Sequence, residues 1–411
     1  MTVVQPDYDV IIIGAGPAGS TAAKCLMDYR PETRVLLLDK AHKLPRPKPC
    51  GGYVGAEVLE HFTYLKGNEG KFVESESYEG ILHSPDLRYQ VSGHTRMLGV
   101  LRPSFDAYLV GLAQQAGVQI GTRSRVIDVK PSPEQVLVEL EDGRKLSAKT
   151  IVGADGAASV VARRSGLHQG WQSHEICRTL VKEFHVDPSY ILDHYSTNRS
   201  IHLFLQFNQI PGYAWVFPKA HHINVGLGCF ANHPIRLIDY FRLLVRLLKQ
   251  KKMLPESTTT KGVEAGICPT AGPLPKTQSD RVMLIGDAAG FVSPLTGAGI
   301  VPGMQSGQLA AKTLAEASDR AQFDSTFLER YQFRWEKVIG RFKTELLIQQ
   351  AFLTRWCNLF IRIGEHDEGM RKFVTSTQVT RPTGTYGSKI NILELLFRLV
   401  WALIKGPFGR L

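Results

Sequence analysis

Val10-Ile11-Ile12-Ile13-Gly14-Ala15-Gly16-Pro17-Ala18-Gly19 decides how this chain is read. Four β-branched apolar residues in a row predict a short buried strand of a parallel sheet. The GxGxxG loop follows without a gap, and Ser20 to Tyr29 reads as a helix. A second apolar run, Val35 to Leu38, ends at Asp39, twenty positions after Gly19. Strand, glycine loop, helix, strand and acid in one unit make a dinucleotide-binding fingerprint. Gly14 makes the tight turn, Gly16 admits a pyrophosphate to the backbone, and Gly19 lets helix and strand pack closely. Ala15, Pro17 and Ala18 complete the loop, whose helix N-terminus offers free N–H groups to phosphates. Asp39, followed by Lys40, can accept hydrogen bonds from ribose hydroxyls.

The 411 residues allow two domains, and 43% hydrophobic with 21% charged residues fits a globular protein. A net charge of +11 would suit an anionic membrane or an acidic ligand. There is no Lys/Arg block of the kind that marks nucleic-acid binding, and no nucleic acid partner is expected. The six cysteines (25, 50, 177, 229, 268, 357) include no CxxC pair. That argues against a zinc site or disulfide framework, so no metal is expected, and it fits a reducing, cytoplasmic setting. The first strand begins within ten residues, which leaves no room for a signal peptide. The sequence has no uncharged apolar run of about 18 residues, so no spanning helix is expected.

Beyond Lys40, Pro45-Arg46-Pro47-Lys48-Pro49-Cys50-Gly51-Gly52 sets one thiol and two glycines on a proline-stiffened segment. A buried, inert cysteine is the plain alternative for Cys50. Residues 53–62 read as a short helix, and 78–101 as strands around a Ser84-Pro85-Asp86 turn. Arg102 precedes a helix from Phe105 to Gln115 with Ser104 as its N-cap. Short strands follow at Val118–Ile120, Arg125–Val129 (containing Val126), Val136–Glu141 and Lys145–Ala148. A further buried strand, Ile151 to Ala154, ends in Asp155-Gly156, and Ser159 begins a helix. From about 172 to 265 alternating strands predict an antiparallel sheet, with an amphipathic helix over 235–253 packed on it. Tyr213, Trp215 and Phe217, ahead of Pro218, would share one face of a strand. A last buried strand, 281–286, leads into Asp287, then Pro294, Gly297, Gly299, Ile300 and a helix from Val301.

Taken together, GxGxxG with Asp39, the Arg102 helix, Asp155-Gly156 and Gly286-Asp287 with the Gly297/Gly299 loop resemble the para-hydroxybenzoate hydroxylase-like flavoproteins over residues 7–320. Pro-Lys-Pro-Cys-Gly-Gly and Tyr213-Ala214-Trp215-Val216-Phe217-Pro218 further resemble the geranylgeranyl reductase family. The resemblance implies an α/β, α+β overall, fold. It would comprise a Rossmann-like FAD-binding domain (1–76, 97–171, 272–322), an antiparallel-sheet substrate domain (77–96, 172–271) and a helical C-terminal region (323–411). It implies FAD rather than NAD on the glycine loop, with Lys40, Cys50, Gly51, Gly52, Arg102, Val126, Asp155, Gly156 and Pro294 among the residues that bind it, Asp287 at the ribityl and pyrophosphate region and the Gly297–Ile300 amides facing the flavin pyrimidine. Oriented N–H groups there would stabilise the negative charge of reduced flavin. It implies a polyprenyl lipid along Tyr213, Trp215, Phe217 and Pro218. Cys50 would lie beside the flavin, for proton delivery or flavin positioning.

The implied activity is saturation of isolated C=C bonds by hydride from reduced flavin, with NAD(P)H or another reductant as donor. The rival activity is a flavin-dependent monooxygenase or halogenase of an aromatic substrate. Three departures stand out: Asp39 replaces the usual Glu, Ala298 stands where several members carry Glu, and no second GxGxxG exists. Ile390 to Ile404, flanked by Lys389, Lys405 and Arg410 and carrying Trp401, reads as a segment for peripheral membrane contact.

Overall fold

The computed structural model describes residues 6–354 and 356–378. The 390–404 segment therefore lies outside the described residues. The described residues form two compact units, one of 6–47, 103–172 and 268–342, the other of 48–102, 173–267 and 343–378.

In the first unit Tyr8–Ile13 pairs in parallel with Val35–Leu38 on one side and Lys145–Gly153 on the other. Gln119–Gly121 and Val282–Leu284 extend this parallel layer outward. Val10, Ile11 and Ile12 are wholly buried, as an unbroken β-branched run requires. The two strands expected at 145–148 and 151–154 are one strand, Lys145–Gly153. Its first half pairs antiparallel with Val136–Leu140 and its second half pairs in parallel with Tyr8–Ile13. Ser104 does not cap a helix: the helix is Arg102–Gln115, and Pro103, which needs no N–H partner, sits in its first turn. Helices Pro17–Tyr29 and Ile300–Arg320 pack at close range. A Cβ on Gly307 would lie 2.4 Å from the Ala18 carbonyl oxygen. Residues 323–342 belong to this unit because helix Ser325–Val338 is anchored in it. Its buried Tyr331 donates to the Leu284 carbonyl at 2.8 Å, and Trp335 donates to Thr277 Oγ1 at 2.8 Å.

The second unit is built on an eight-stranded sheet ordered Glu264–Pro269, Ile176–His185, His222–Phe230, Gly212–Pro218, Ile201–Leu205, Val73–His83, Gln90–Val100 and Tyr53–Gly55. Ile201–Leu205 runs parallel to Val73–His83, a departure from the expected antiparallel order. The helix expected over 53–62 is instead strand Tyr53–Gly55 followed by a single turn, Val58–His61. Tyr53–Gly55 pairs with Gln90–Val100, and that strand with Val73–His83, so residues 48–102 fall with this sheet. Helix Leu237–Gln250 lays Leu237, Phe241, Leu244 and Leu248 on Ala214, Val216, Val225 and Leu227. A short helix absent from the sequence expectation, Pro188–Tyr195, adds Ile191 and Tyr195 to that core.

Two histidines meet inside this sheet. His83 Nε2 lies 3.0 Å from His202 Nδ1, and both rings stack beside Phe204. Burial holds His83 at about 4 and His202 at about 3, below the usual 6.5. Below about pH 6.5 the unfolded chain binds protons at these rings and the folded chain does not, so stability is complete at neutral pH and falls with acidification. The expected loss is about 1.4 kcal/mol per pH unit for each ring between about pH 6.5 and 4. Urea midpoints at pH 7 and pH 5 should differ less in His83→Phe/His202→Phe than in the parent; an equal difference excludes the pair as the source.

Candidate functional site

The glycine loop is shaped by contacts that only its sequence permits. Gly14 has φ +111°, and a Cβ there would lie 2.2 Å from the Ala154 carbonyl oxygen. A Cβ on Gly19 would lie 1.9 Å from the Gly14 carbonyl oxygen. A Cβ on Gly16, by contrast, would meet nothing within 4 Å. Gly14 and Gly19 are therefore packed, while Gly16 faces open space. Helix Pro17–Tyr29 starts at Gly16 with no side-chain cap and with Pro17 in its first turn. Asp39 is buried beside the loop: Oδ2 accepts the Ala15 N–H at 3.0 Å, and Oδ1 accepts the Ala41 N–H at 2.8 Å. Arg46 Nε lies 3.5 Å from Oδ1. Each carboxylate oxygen has two lone pairs, which leaves acceptor capacity for a ribose hydroxyl.

The other expected elements of this unit converge on the loop. Asp155 Cα would lie 3.1 Å from a Gly14 Cβ. The Asp155 carboxylate turns to helix Val160–Arg164, accepting the Ser159 hydroxyl at 2.6 Å and the Val160 and Val161 amides at 2.7 and 3.2 Å. Burial raises its pKa above the ordinary carboxylate value despite those donors. Gly156, at φ +82°, leaves its side open. Gly286 abuts Ala18, with 2.9 Å from its would-be Cβ to the Ala18 Cβ. Asp287 follows in the turn Gly286–Ala289, and its Oδ1 lies 3.3 Å from a would-be Gly299 Cβ.

Pro294 is buried in the loop that precedes the long helix. That loop is held by Ser293 N–H to the Ala298 carbonyl at 3.0 Å and Gly297 N–H to the Ser293 carbonyl at 2.9 Å. Helix Ile300–Arg320 then starts at Gly299 without a side-chain cap. Two uncapped helix starts, an open Gly16 and a buried acid match the chemistry of a dinucleotide carrying an anionic pyrophosphate. Of the remaining expected residues, Lys40 is exposed, Arg102 is buried at the first position of its helix, and Val126 is a core residue paired with Leu140.

The second unit holds the Cys50 loop against the aromatic strand Gly212–Pro218. Tyr213, Trp215 and Phe217 share a face, with ring centroids 5.8 and 6.1 Å apart. Pro218 falls on the opposite face by alternation, and its carbonyl accepts the Tyr53 hydroxyl. A Gly51 Cβ would lie 2.7 Å from Phe217 Cε2, and a Gly226 Cβ 2.1 Å from Trp215 Cζ2, so both glycines make room for rings. Cys50 is half-buried, and its Sγ accepts the Gly52 N–H at 3.4 Å.

Three residues that sequence reasoning missed join these parts. Asn224 accepts the Trp215 indole N–H at 2.8 Å and donates to the Cys50 carbonyl at 3.0 Å. It also donates to Glu183 Oε2 at 3.0 Å. Glu183 takes both oxygens to Lys219 Nζ at 2.9 Å, and Lys219 is wholly buried. The one sequence signal available was Asn224, which interrupts an apolar strand; Lys219 and Glu183 carry none. Nearby, the hydrogen bond to Glu74 raises the His222 pKa, with 2.9 Å from Nδ1 to Oε1.

Residues 9–375 match the lycopene cyclase protein family. Digeranylgeranylglycerophospholipid reductase 2 of Methanopyrus kandleri is 31% identical over 359 residues, 84% of this chain and 87% of the relative. The chain belongs to the geranylgeranyl reductase family of FAD-dependent oxidoreductases. The digeranylgeranylglycerophospholipid reductase of Methanocaldococcus jannaschii is 28% identical over 92% of this chain and 96% of its own length. Among solved structures, a geranylgeranyl bacteriochlorophyll reductase-like protein from Thermoplasma acidophilum superposes with a TM-score of 0.78. It is 20% identical and covers 95% of this chain and 99% of its own. A halogenase crystallised with FAD superposes at 0.66 with 16% identity, covering 98% of this chain and 93% of its own. These two likenesses show the shared fold. Like other members of the geranylgeranyl reductase family, this chain is an FAD-dependent oxidoreductase, and the glycine-loop unit fits that cofactor.

Proposed function

We propose that this enzyme saturates C=C bonds of a geranylgeranyl-type polyprenyl lipid. The observation that carries the reading is the face of strand Gly212–Pro218. Tyr213, Trp215 and Phe217 line it, and the one indole N–H among them is taken by Asn224. The Trp215 ring therefore has no free donor, as suits an isoprenoid that offers no hydrogen-bonding group. An unactivated alkene has no carbonyl to polarise, so rigid positioning is the main contribution such a face can make. The names of the curated relatives support the same substrate class.

Bound FAD, when reduced, supplies the hydride for one alkene carbon; the glycine loop, Asp39, Asp287 and the start of helix Ile300–Arg320 would hold it. We assign the proton for the other carbon to the Cys50 thiol. Cys50→Ser is expected to lower kcat about 100-fold while lipid KM and FAD content stay unchanged. Full turnover by that variant removes Cys50 from the chemistry.

The reading as a whole is tested by anaerobic incubation of the reduced enzyme with a geranylgeranyl lipid. Mass spectrometry should show successive gains of two hydrogens; an unchanged lipid refutes the assignment. Electrons enter from NAD(P)H or another reductant, and the rate at which each bleaches the flavin identifies it. Among the described residues no helix is long and apolar enough to cross a membrane. Peripheral contact through residues 390–404 would give the enzyme access to a lipid substrate. Truncation after residue 388 should then lower liposome binding, and unchanged binding counts against that contact.

A further inference from the structure

We propose that Asn224, Glu183 and Lys219 are positioning residues that fix the Cys50-Gly51-Gly52 backbone to the Trp215 indole. Asn224 is the joint. Its carbonyl oxygen takes the indole N–H, and its amide nitrogen serves both the Cys50 carbonyl and Glu183. Each of these bonds restricts the rotation of the Asn224 amide, so the loop and the ring share one reference point. Behind it, Lys219 is closed off from solvent and grips Glu183 through both oxygens. Gly52 sits directly on this ammonium: with φ +69°, a Cβ there would lie 2.8 Å from Nζ and 2.4 Å from the Val100 carbonyl oxygen. Only glycine allows the loop to settle so close to the buried cation.

An ion pair whose lysine is buried and whose carboxylate is part-exposed is a poor source of stability compared with apolar packing, but here both carboxylate oxygens meet one ammonium, which restrains both side chains. The other ionisable groups packed near it, Tyr53, Glu74 and His222, are themselves paired: Tyr53 with the Pro218 carbonyl, Glu74 with His222. The arrangement thus holds one thiol-bearing loop and one aromatic wall at a fixed separation. The proposal deepens the reductase reading, which gives both parts their use.

The test measures the alkylation rate of Cys50 by N-ethylmaleimide, resolved by peptide mass spectrometry, with Cys177 and Cys268 as half-buried references. Asn224→Leu leaves local charge unchanged, so a rate change reads order rather than electrostatics. It is expected to accelerate Cys50 about tenfold, as the loss of one fixing hydrogen bond allows, and to leave the reference rates alone. The charge-free pair Lys219→Met/Glu183→Leu provides a second route and should also accelerate Cys50 selectively. In turnover, both should lower kcat more than they raise lipid KM. If Asn224→Leu exposes all three cysteines alike, the double variant decides. There, a Cys50 rate within about twofold of the parent, or acceleration of all three together, overturns the proposal. Because alkylation needs no lipid, a failure of lipid reduction with selective Cys50 acceleration sinks the substrate reading and leaves the network standing.

Discussion

Gly16→Val should fold, melt with the parent protein and emerge from purification colourless. The backbone at Gly16 has φ −78° and ψ −178°, an extended conformation open to any residue. A Cβ there meets no protein atom within 4 Å, so a side chain can leave the backbone at this position without a clash at its first carbon. The same space is where a pyrophosphate would approach the uncapped start of helix Pro17–Tyr29, and an isopropyl group would fill it. Losing two charge-assisted hydrogen bonds to phosphate weakens binding by about 3 kcal/mol or more, at least about 100-fold in Kd. Gly19→Ala provides the contrast, since its Cβ would collide with the Gly14 carbonyl oxygen at 1.9 Å and the defect would appear as lost stability. Thermal melting and flavin absorbance separate the two outcomes. A yellow Gly16→Val protein with stoichiometric FAD would falsify the placement of the cofactor on this loop.

Lys219→Met should destabilise the second unit. It strands Glu183, which loses a cation gripping both its oxygens and retains the Asn224 amide. Stranding a fully buried partner costs about 3 kcal/mol, but Glu183 is part-exposed and water offsets some of that, so a loss of about 1–2 kcal/mol is expected. Lys219→Met/Glu183→Leu should recover most of that loss, because no unpaired charge remains. Urea midpoints of the two variants check this, and a single variant that unfolds with the parent shows that Glu183 finds water instead.

The parts of the molecule written in periodic patterns are legible in the sequence. Val10 to Ile13 is apolar at every position because both faces of its sheet are covered, and Gly14, Gly16 and Gly19 follow at a spacing that serves one purpose. Tyr213, Trp215 and Phe217 announce a shared face by simple alternation. What stays hidden depends on partners distant in the chain. Lys219 looks like an ordinary surface lysine until Glu183 is brought to it across the sheet by the pairing of Ile176–His185 with His222–Phe230. The stretch around Val58–His61 reads as a longer helix because Tyr53–Gly55 is a strand only by virtue of Gln90–Val100 beside it. Ser104 reads as a cap from residue type alone, whereas Pro103 lets the helix begin at Arg102.

The double pairing of strand Lys145–Gly153 bears on how the chain finds its structure. Its leading half closes a hairpin with Val136–Leu140 around an Asp142-Gly143 tip, a loop of a few residues that forms in microseconds. Its trailing half must meet Val10 to Ile13 across more than a hundred intervening residues. The hairpin closes over far less chain than the parallel pairing, so it is expected to form before it. Lengthening that tip with flexible residues should slow refolding more than it weakens the final state, because it taxes the nucleus and not the finished sheet.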